Sequence, residues 1–168
     1  MQRFFTGPRK IVEREALAER LKNRNGKKVV FTNGCFDVLH IGHLRCLQAA
    51  RSLGDILVVG VNTDSSVKRL KGPDRPINSQ ESRAELLSGF GCVDYVVFFS
   101  EATPSETIAI LRPDVCCKGG DYRAEDMPET PVVRSYGGEV VIIPDEVTNA
   151  YNFSTTAIIE KAREKTSE

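Results

Sequence analysis

The amino-acid sequence predicts an α/β domain with a doubly wound sheet of about five parallel strands and helices on both faces. Five short runs rich in β-branched and aromatic residues are typical of buried strands: "KKVVFTN", "DILVVGVNTD", "VDYVVFF", "DVCCKGGD" and "EVVIIP". Segments with a helical spacing of apolar residues alternate with these runs. The runs are apolar enough to be covered on both faces, which favours a Rossmann-like sheet that binds ligands beyond the carboxyl ends of its strands.

The first third of the chain begins with a predicted helix. Apolar side chains recur with a helical period until "NRNGK" breaks the pattern, so this helix is placed at about 11–24. The strand "KKVVFTN" is expected to end near Thr32. A second helix is predicted at 42–53 with Gly54 as its stop, and the strand "DILVVGVNTD" follows it.

The rest of the chain continues the alternation. "SSVKRLKGPDRPINS" predicts a short helix that runs into a long loop, after which Ser79 is placed to cap the helix in "QESRAELLSGF". A further helix is expected to open on Thr103 with Pro104 at its first position, and Ser154 is expected to cap the last helix. Since parallel strands end at one edge of a sheet, "TNGCFD", "NTD", "CKGGD" and the loop before "STT" are expected to meet in space.

Length and composition limit the class of protein. The chain has 168 residues, and we expect a single domain over 1–168, with the main body at about 28–164 after the first helix. Its 23 basic and 23 acidic residues balance, which argues against a nucleic-acid partner, and no apolar run is long enough for a membrane span. The N-terminus lacks the pattern of a secretory signal, so a cytoplasmic location is expected. The five cysteines include no CxxC pair and are expected to be mainly buried thiols.

The segment "TNGCFDVLHIGH", where the first strand ends, contains both histidines of the chain, His40 and His43. Gly42 lies between them, where a missing side chain lets a ligand approach the backbone, and the helix start adds N–H groups and partial positive charge. The segment therefore favours a phosphate site to which the histidines contribute hydrogen bonds and charge. Three alternatives remain open: a zinc site that adds Cys35 and Asp37, a Cys35 nucleophile, and histidines that only cap or pack.

Two motifs carry a family resemblance. "GCFDVLHIGH" resembles the GxFDxxHxGH signature of cytidylyltransferase-like nucleotidyltransferases, and "FSTTAII" resembles their second marker, a serine–threonine triplet that opens a late helix. "TNGCFDVLHIGHLRCLQAARSLGD", "VNTDSSVKRLKGPDRPIN" and "DVCCKGGDY" are similar to heptose 1-phosphate adenylyltransferases, including the C-terminal half of bifunctional heptose kinase/adenylyltransferases. This similarity covers 11–161. It implies transfer of AMP from ATP to D-glycero-D-manno-heptose 1-phosphate, giving ADP-heptose and diphosphate for a bacterial surface glycan such as the lipopolysaccharide core.

The resemblance also implies roles for residues. His40, His43 and Lys71 form the catalytic set, and no general base is needed because the nucleophile is already an anionic phosphate oxygen. Contacts to the nucleotide and its phosphates are expected from Asn33, Gly34, Cys35, Phe36, Gly42, Lys68, Arg83, Ser154, Thr155 and Thr156. Contacts to the sugar phosphate are expected from Asp37, which is also expected to order its loop, and from Arg75, Lys118, Gly119 and Asp121. No protein-ligated metal is expected; Mg²⁺ is expected to come with ATP and to be held mainly by phosphates and water.

The chain departs from the wider family at two points. Cys35 stands where many members have threonine, and "TNAYNFSTT" lacks the arginine that some relatives carry before the triplet. The motifs themselves do not choose between ATP and CTP, so cytidylyl transfer to a polyol or amino-alcohol phosphate is an alternative function. A nucleotide- or metal-binding module without turnover is a second alternative. Relatives often form homodimers, and the resemblance leaves a homodimer open here.

Overall fold

A five-stranded sheet, parallel throughout, forms the centre of the computed structural model, which describes residues 10–120, 122–148 and 154–165. The strands are β1 (Val29–Gly34), β2 (Ile56–Asn62), β3 (Tyr95–Phe99), β4 (Val115–Gly119) and β5 (Glu139–Ile143), and their order is β3-β2-β1-β4-β5. The chain first builds the sheet on one side of β1 and then crosses to the other side with β4. The predicted parallel α/β fold is confirmed, and the strand order reverses between β1 and β4, where such folds bind ligands.

Helices cover both faces of this sheet. In the described residues they are α1 (Arg14–Lys22), α2 (Ile41–Ser52), α3 (Asp64–Lys71), α4 (Gln80–Ser88), α5 (Ser105–Leu111), α6 (Thr130–Ser135), α7 (Asp145–Thr148) and α8 (Thr155–Lys165), with a 3₁₀ turn at Ala124–Asp126. No helix in this part of the chain combines the length and the apolar character that crossing a membrane requires.

Alternate strand residues supply the two halves of the core, because successive side chains of a strand point to opposite faces. On one face, α2 and α4 pack against the sheet through a cluster that includes Val30, Leu57, Val59, Leu47 and Leu87. On the other face, α1, α5 and α6 pack through a cluster that includes Val29, Phe31, Val58, Leu17, Ile108 and Val133. Burial of one apolar side chain of this size contributes about 1.5–3 kcal/mol to the free energy of folding. The contacts on both faces of the sheet therefore stabilise the positions of the strands.

Two local expectations differ from the structure. The first helix begins at Arg14, not at residue 11, because Ile11 forms a parallel bridge to Val96 and the Val12 N–H donates to the Val96 carbonyl at 3.0 Å. Ile11 and Val12 are therefore extended beside β3, although their spacing matched a helix. Pro104 is the N-cap of α5, one position before the place expected for it.

Candidate active site

A cavity of about 510 Å³ lies at the carboxyl edge of the sheet. Its wall includes residues 33–37 at and just beyond the end of β1, Asn62 at the end of β2, Lys118 near the end of β4, and Thr155 and Thr156 at the start of α8. The strand ends and the triplet that the sequence predicted to meet therefore line one cavity. The loop before the triplet, 149–153, lies outside the described residues, as does Asp121.

The two histidines form the N-terminal cap of α2. His40 is the N-cap residue, and its Nδ1 accepts from the Gly42 N–H at 3.2 Å, while Nδ1 of His43 accepts from the His40 N–H at 3.3 Å. The ring centroids are 3.9 Å apart. Because each Nδ1 acts as an acceptor, the proton of each neutral ring is on Nε2, where it remains available as a donor to a ligand. His43 lines the cavity, and His40 stacks beside it.

Burial keeps both rings uncharged. It lowers the pKa of His43 to about 4, with a smaller contribution from the neighbouring His40, and burial also lowers the pKa of His40. At neutral pH the free protein therefore carries two neutral imidazoles. The expectation that the histidines bring positive charge is wrong for this state, although they keep their Nε2–H donors.

The backbone amides at the start of α2 are already used within the helix. The Gly42 N–H donates to the His40 ring, and the N–H groups of His43 and Leu44 donate to the His40 carbonyl at 3.0 and 3.4 Å. A Cβ at Gly42 would lie 2.4 Å from the Thr148 carbonyl oxygen. Gly42 is thus required by the close approach of α7, and the expected phosphate contact through its amide has no support in this geometry.

Asp37 orders the loop after α3. Its buried carboxylate accepts from Arg75 Nε, from the Ile77 N–H at 2.7 Å and from the Asn78 N–H at 3.0 Å. Burial alone raises the pKa of this carboxyl, but the Asn78 N–H and Arg75 outweigh it, so the pKa lies below its ordinary range. The carboxylate is ionised and occupied, which agrees with the expected loop-ordering role and leaves its sugar contact without support.

Three of the predicted cationic residues line the cavity: Lys71, Arg75 and Lys118. Lys71 is exposed at the end of α3, whereas Arg75 is held by Asp37. Lys68 is also exposed on α3 but does not line the cavity. Arg75 is paired with Asp37 and Lys118 lies 3.9 Å from Glu129, so carboxylates of the same wall offset part of this positive charge.

Arg83 does not reach the cavity. Its side chain is fully buried, and its guanidinium donates to the carbonyls of Asn78 at 3.0 Å, Asn62 at 2.8 Å and Cys35, and to Asp64 Oδ1 at 2.7 Å. The predicted phosphate contact of Arg83 is therefore wrong for this structure. Because Arg83 holds the ends of β1 and β2 to the start of α4, it shapes the cavity wall from behind.

The predicted triplet lies partly in the cavity wall. Thr155 and Thr156 line the cavity, and Thr155 Oγ1 donates to the Val38 carbonyl at 3.2 Å. Ser154 Oγ accepts from the Ala157 N–H at 3.1 Å, which confirms the predicted cap. This network fastens the start of α8 to the segment that carries the histidines.

The remaining predicted residues either line the cavity or pack within the protein. Asn33, Gly34, Cys35 and Phe36 line the cavity, and the Phe36 ring lies 5.3 Å from that of His43. Gly119 is surrounded by protein, since an added Cβ would lie 2.7 Å from Thr148 Cγ2 and 2.8 Å from Cys46 Sγ.

The zinc and nucleophile alternatives gain no support from the described residues. Burial raises the pKa of the Cys35 thiol, so this group is protonated at neutral pH and is a poor nucleophile. Within 10–120, 122–148 and 154–165, no group of three or more histidine, cysteine, aspartate or glutamate side chains is arranged to hold a metal ion.

Sequence reasoning missed Glu129 and Tyr122, which also line the cavity. Glu129 is the N-cap residue of α6 and is only 1% exposed. Lys118 Nζ lies 3.9 Å from Glu129 Oε1 and 5.1 Å from the centroid of the Tyr122 ring. The sequence cue was weak: a glutamate directly before Thr-Pro, a pair that favours a helix start.

Comparisons with known proteins agree with this geometry. A model of the cytidylyltransferase-like family matches residues 31–161. The chain is 53% identical over 154 residues to the bifunctional protein HldE of Syntrophotalea carbinolica, a match that covers 90% of this chain and 31% of that protein. It is 52% identical over 141 residues to the bifunctional protein HldE of Pseudomonas paraeruginosa, covering 84% of this chain and 29% of that protein. The chain thus spans about a third of the length of these curated relatives.

Solved structures show a similar fold. The lipopolysaccharide core biosynthesis protein from Thermoplasma volcanium superposes with a TM-score of 0.58 at 32% identity, covering 71% of this chain and 96% of that one. The pantoate-beta-alanine ligase from Francisella tularensis superposes with a TM-score of 0.54 at 14% identity, covering 88% of this chain and 74% of that one, and this likeness concerns the fold alone.

Proposed function

This chain belongs to the cytidylyltransferase-like family, and from that membership we propose that it transfers AMP from ATP to D-glycero-D-manno-heptose 1-phosphate, forming ADP-heptose and diphosphate. The observation that carries the proposal is the cavity itself, in which a neutral histidine donor faces a space surrounded by Lys71, Arg75 and Lys118. Such a site suits the alignment of two phosphate groups. The similarity of the strand-end segments to heptose 1-phosphate adenylyltransferases supports the choice of substrates.

The reaction that we propose needs no proton acceptor. An anionic oxygen of the sugar phosphate forms a bond to the α-phosphorus of ATP, the bond from that phosphorus to the bridging oxygen breaks, and diphosphate leaves. Nε2–H groups of His40 and His43 stabilise the charge that develops on the phosphoryl oxygens, and Lys71 supplies positive charge beside them. Rate enhancement then depends on alignment and on fixed donors, because the nucleophile is already ionised at neutral pH.

Magnesium accompanies ATP in this proposal. The cavity wall contains the carboxylates of Asp37, Asp126 and Glu129, but Asp37 is occupied by Arg75 and two backbone N–H groups, and the described residues form no three-ligand cluster. This donor set fits an ion held mainly by phosphate oxygens and water, as Mg²⁺ prefers. When bound, Mg²⁺ neutralises phosphate charge, while the side chains above orient the two substrates.

The proposal also covers the biosynthetic role of the reaction and the compartment in which it takes place. The solved relative from Thermoplasma volcanium is described as a lipopolysaccharide core biosynthesis protein, which supports a role in making the lipopolysaccharide core. We place the nucleotidyltransferase activity in a single domain with its core at about 28–164, acting in the cytoplasm, where ATP is available.

A nucleotide-by-acceptor panel tests the proposal. Diphosphate release is measured for ATP and CTP, each with heptose 1-phosphate and with glycerol 3-phosphate, with Mg²⁺ present. We expect release only from ATP with heptose 1-phosphate, and a His43→Gln variant should lose most of it. Release only from CTP would replace the proposal with cytidylyl transfer. A purified protein that retains metal and releases no diphosphate with any pair would identify a module without turnover.

A further inference from the structure

Two residues of the cavity wall each carry a buried side-chain oxygen that has no hydrogen-bond partner. Among the described residues, the buried side-chain polar atoms without a partner are Asn33 Oδ1, Glu129 Oε1 and Tyr136 Oη. Asn33 and Glu129 line the candidate active site, whereas Tyr136 lines a separate cavity with Asp114, which lies just before β4 at the opposite edge of the sheet. Both of these residues therefore belong to the wall of one cavity.

An unpaired buried acceptor is unfavourable for the free protein, and native structures contain few of them. Glu129 is the more costly of the two because it is a carboxylate that is 1% exposed. Its nearest cation, Lys118 Nζ, lies 3.9 Å away, which is beyond hydrogen-bond distance. A ligand that donates hydrogen bonds to these oxygens would satisfy them.

Both acceptors are fixed on regular structure. Asn33 lies in β1, where it is in register with Gly60 of β2. The backbone of Glu129 begins α6 and accepts from the Val133 N–H at 3.1 Å. Oxygens held in this way can discriminate between ligands, because an analogue that lacks the matching donor leaves them unpaired.

The chemistry of the two oxygens selects the donor. An amide oxygen and a carboxylate both accept hydrogen bonds, so a phosphate, which offers only acceptors at neutral pH, does not match them. Hydroxyl groups of a sugar do match, and a sugar ring presents several of them. Phosphates then lie toward His43, Lys71 and Arg75, and a hydroxylated ring lies toward β4 and α6.

We propose that Asn33 and Glu129 are specificity-determining residues that accept hydrogen bonds from hydroxyl groups of a bound sugar. The identity of the sugar rests on the proposed function, which supplies two sources of the same chemistry: the ribose of ATP and the heptose of the sugar phosphate. Neither oxygen takes part in the transfer step.

Calorimetric binding measurements on the whole chain test this proposal without turnover. The ligands are ATP, 2′-deoxy-ATP and 3′-deoxy-ATP in one arm, and heptose 1-phosphate with its monodeoxy analogues in the other. The proteins are the wild type, Glu129→Met, Glu129→Gln and Asn33→Leu. The matched control is Glu125→Met, which removes an exposed carboxylate that does not line the cavity.

The wild type and the control should bind the parent compound of one arm roughly 10- to 100-fold more tightly than one of its deoxy analogues. Glu129→Met should weaken binding of that parent by a similar factor and abolish the discrimination. Its melting temperature should change little, because the removal of an unsatisfied buried acceptor offsets the loss of the 3.9 Å ion pair with Lys118. Loss of discrimination in the nucleotide arm identifies the ribose, and loss in the other arm identifies the heptose. If Glu129→Met fails to fold, Glu129→Gln and Asn33→Leu should still reduce the discrimination.

Unchanged discrimination in all folded variants would overturn the proposal, and so would an equal loss of affinity for parent and deoxy compounds. Failure of the proposed function looks different. In that case no diphosphate is released by the wild type, while the binding measurements still report whether the two oxygens recognise hydroxyl groups.

Discussion

Replacement of Arg83 by methionine should destabilise the protein strongly. The variant keeps most of the side-chain volume but leaves the carbonyls of Cys35, Asn62 and Asn78 without their buried donor and Asp64 without its ion pair. Breaking a buried charged network by removal of one partner costs about 3–5 kcal/mol. For a domain of this length, each kcal/mol lowers the melting temperature by roughly 2–4 °C, so the expected decrease is about 6–20 °C.

Differential scanning calorimetry and urea unfolding measure this effect, with Arg20→Met, on the exposed surface of α1, as the matched control. The control should melt close to the wild type. Where Arg83→Met still folds, diphosphate release should require higher concentrations of both substrates, because the ends of β1 and β2 have lost their common anchor. An Arg83→Met variant that melts within about 2 °C of the wild type and yet has no activity would refute the structural role. It would instead support a direct contact between Arg83 and a ligand.

Three further predictions concern the cavity. The pKa of His43 is lowered from 6.5 to about 4, so between these pH values the unfolded chain binds a proton that the folded chain does not. The stability of the protein should therefore fall as the pH falls through this window. Thermal melts of His43→Gln should depend less on pH, and an unchanged pH dependence would contradict the lowered pKa of His43. Lys71→Met should lower kcat by roughly 100-fold, as expected for loss of a positive charge beside the phosphoryl group, whereas Lys68→Met, outside the cavity wall, should change it little. Equal losses of kcat in steady-state assays would contradict this distinction. Asp37→Asn should release Arg75 and the loop that follows it. This release should raise KM more than it lowers kcat, and hydrogen exchange, which should become faster in that loop, measures the release directly.

The parallel sheet was predictable because its signals are local. β-branched runs such as that of β1, alternating with apolar helical periods, specify strands and helices without reference to the rest of the chain. The same reasoning misplaced Ile11 and Val12, whose helical spacing is overridden by their bridge to Val96 beside β3. Pairing with a segment about 85 residues away is a tertiary effect that a local pattern does not contain.

The candidate site was predictable where a motif carried it. Residues 33–37, His43 and the two threonines of the triplet line one cavity, and His40 stacks against His43. Arg83 was misassigned because a cationic residue in the sequence gives no sign of whether its charge is met by a ligand or by buried carbonyls. Glu129 was missed because its burial and its place in the cavity wall depend on how the β4–β5 crossover folds over the sheet edge.

The hydrogen bond from Thr155 to Val38 has a consequence for the order in which the protein is made. It joins residues 117 positions apart in the chain. At translation rates of about 5–20 residues per second, roughly 6–23 s pass between synthesis of the two partners. The last strand, β5, ends at Ile143, 12 residues before Thr155, so at the same rates the sheet is complete for only about 0.6–2.4 s before α8 begins to be made. Attachment of α8 to the histidine segment therefore follows the synthesis of all five strands.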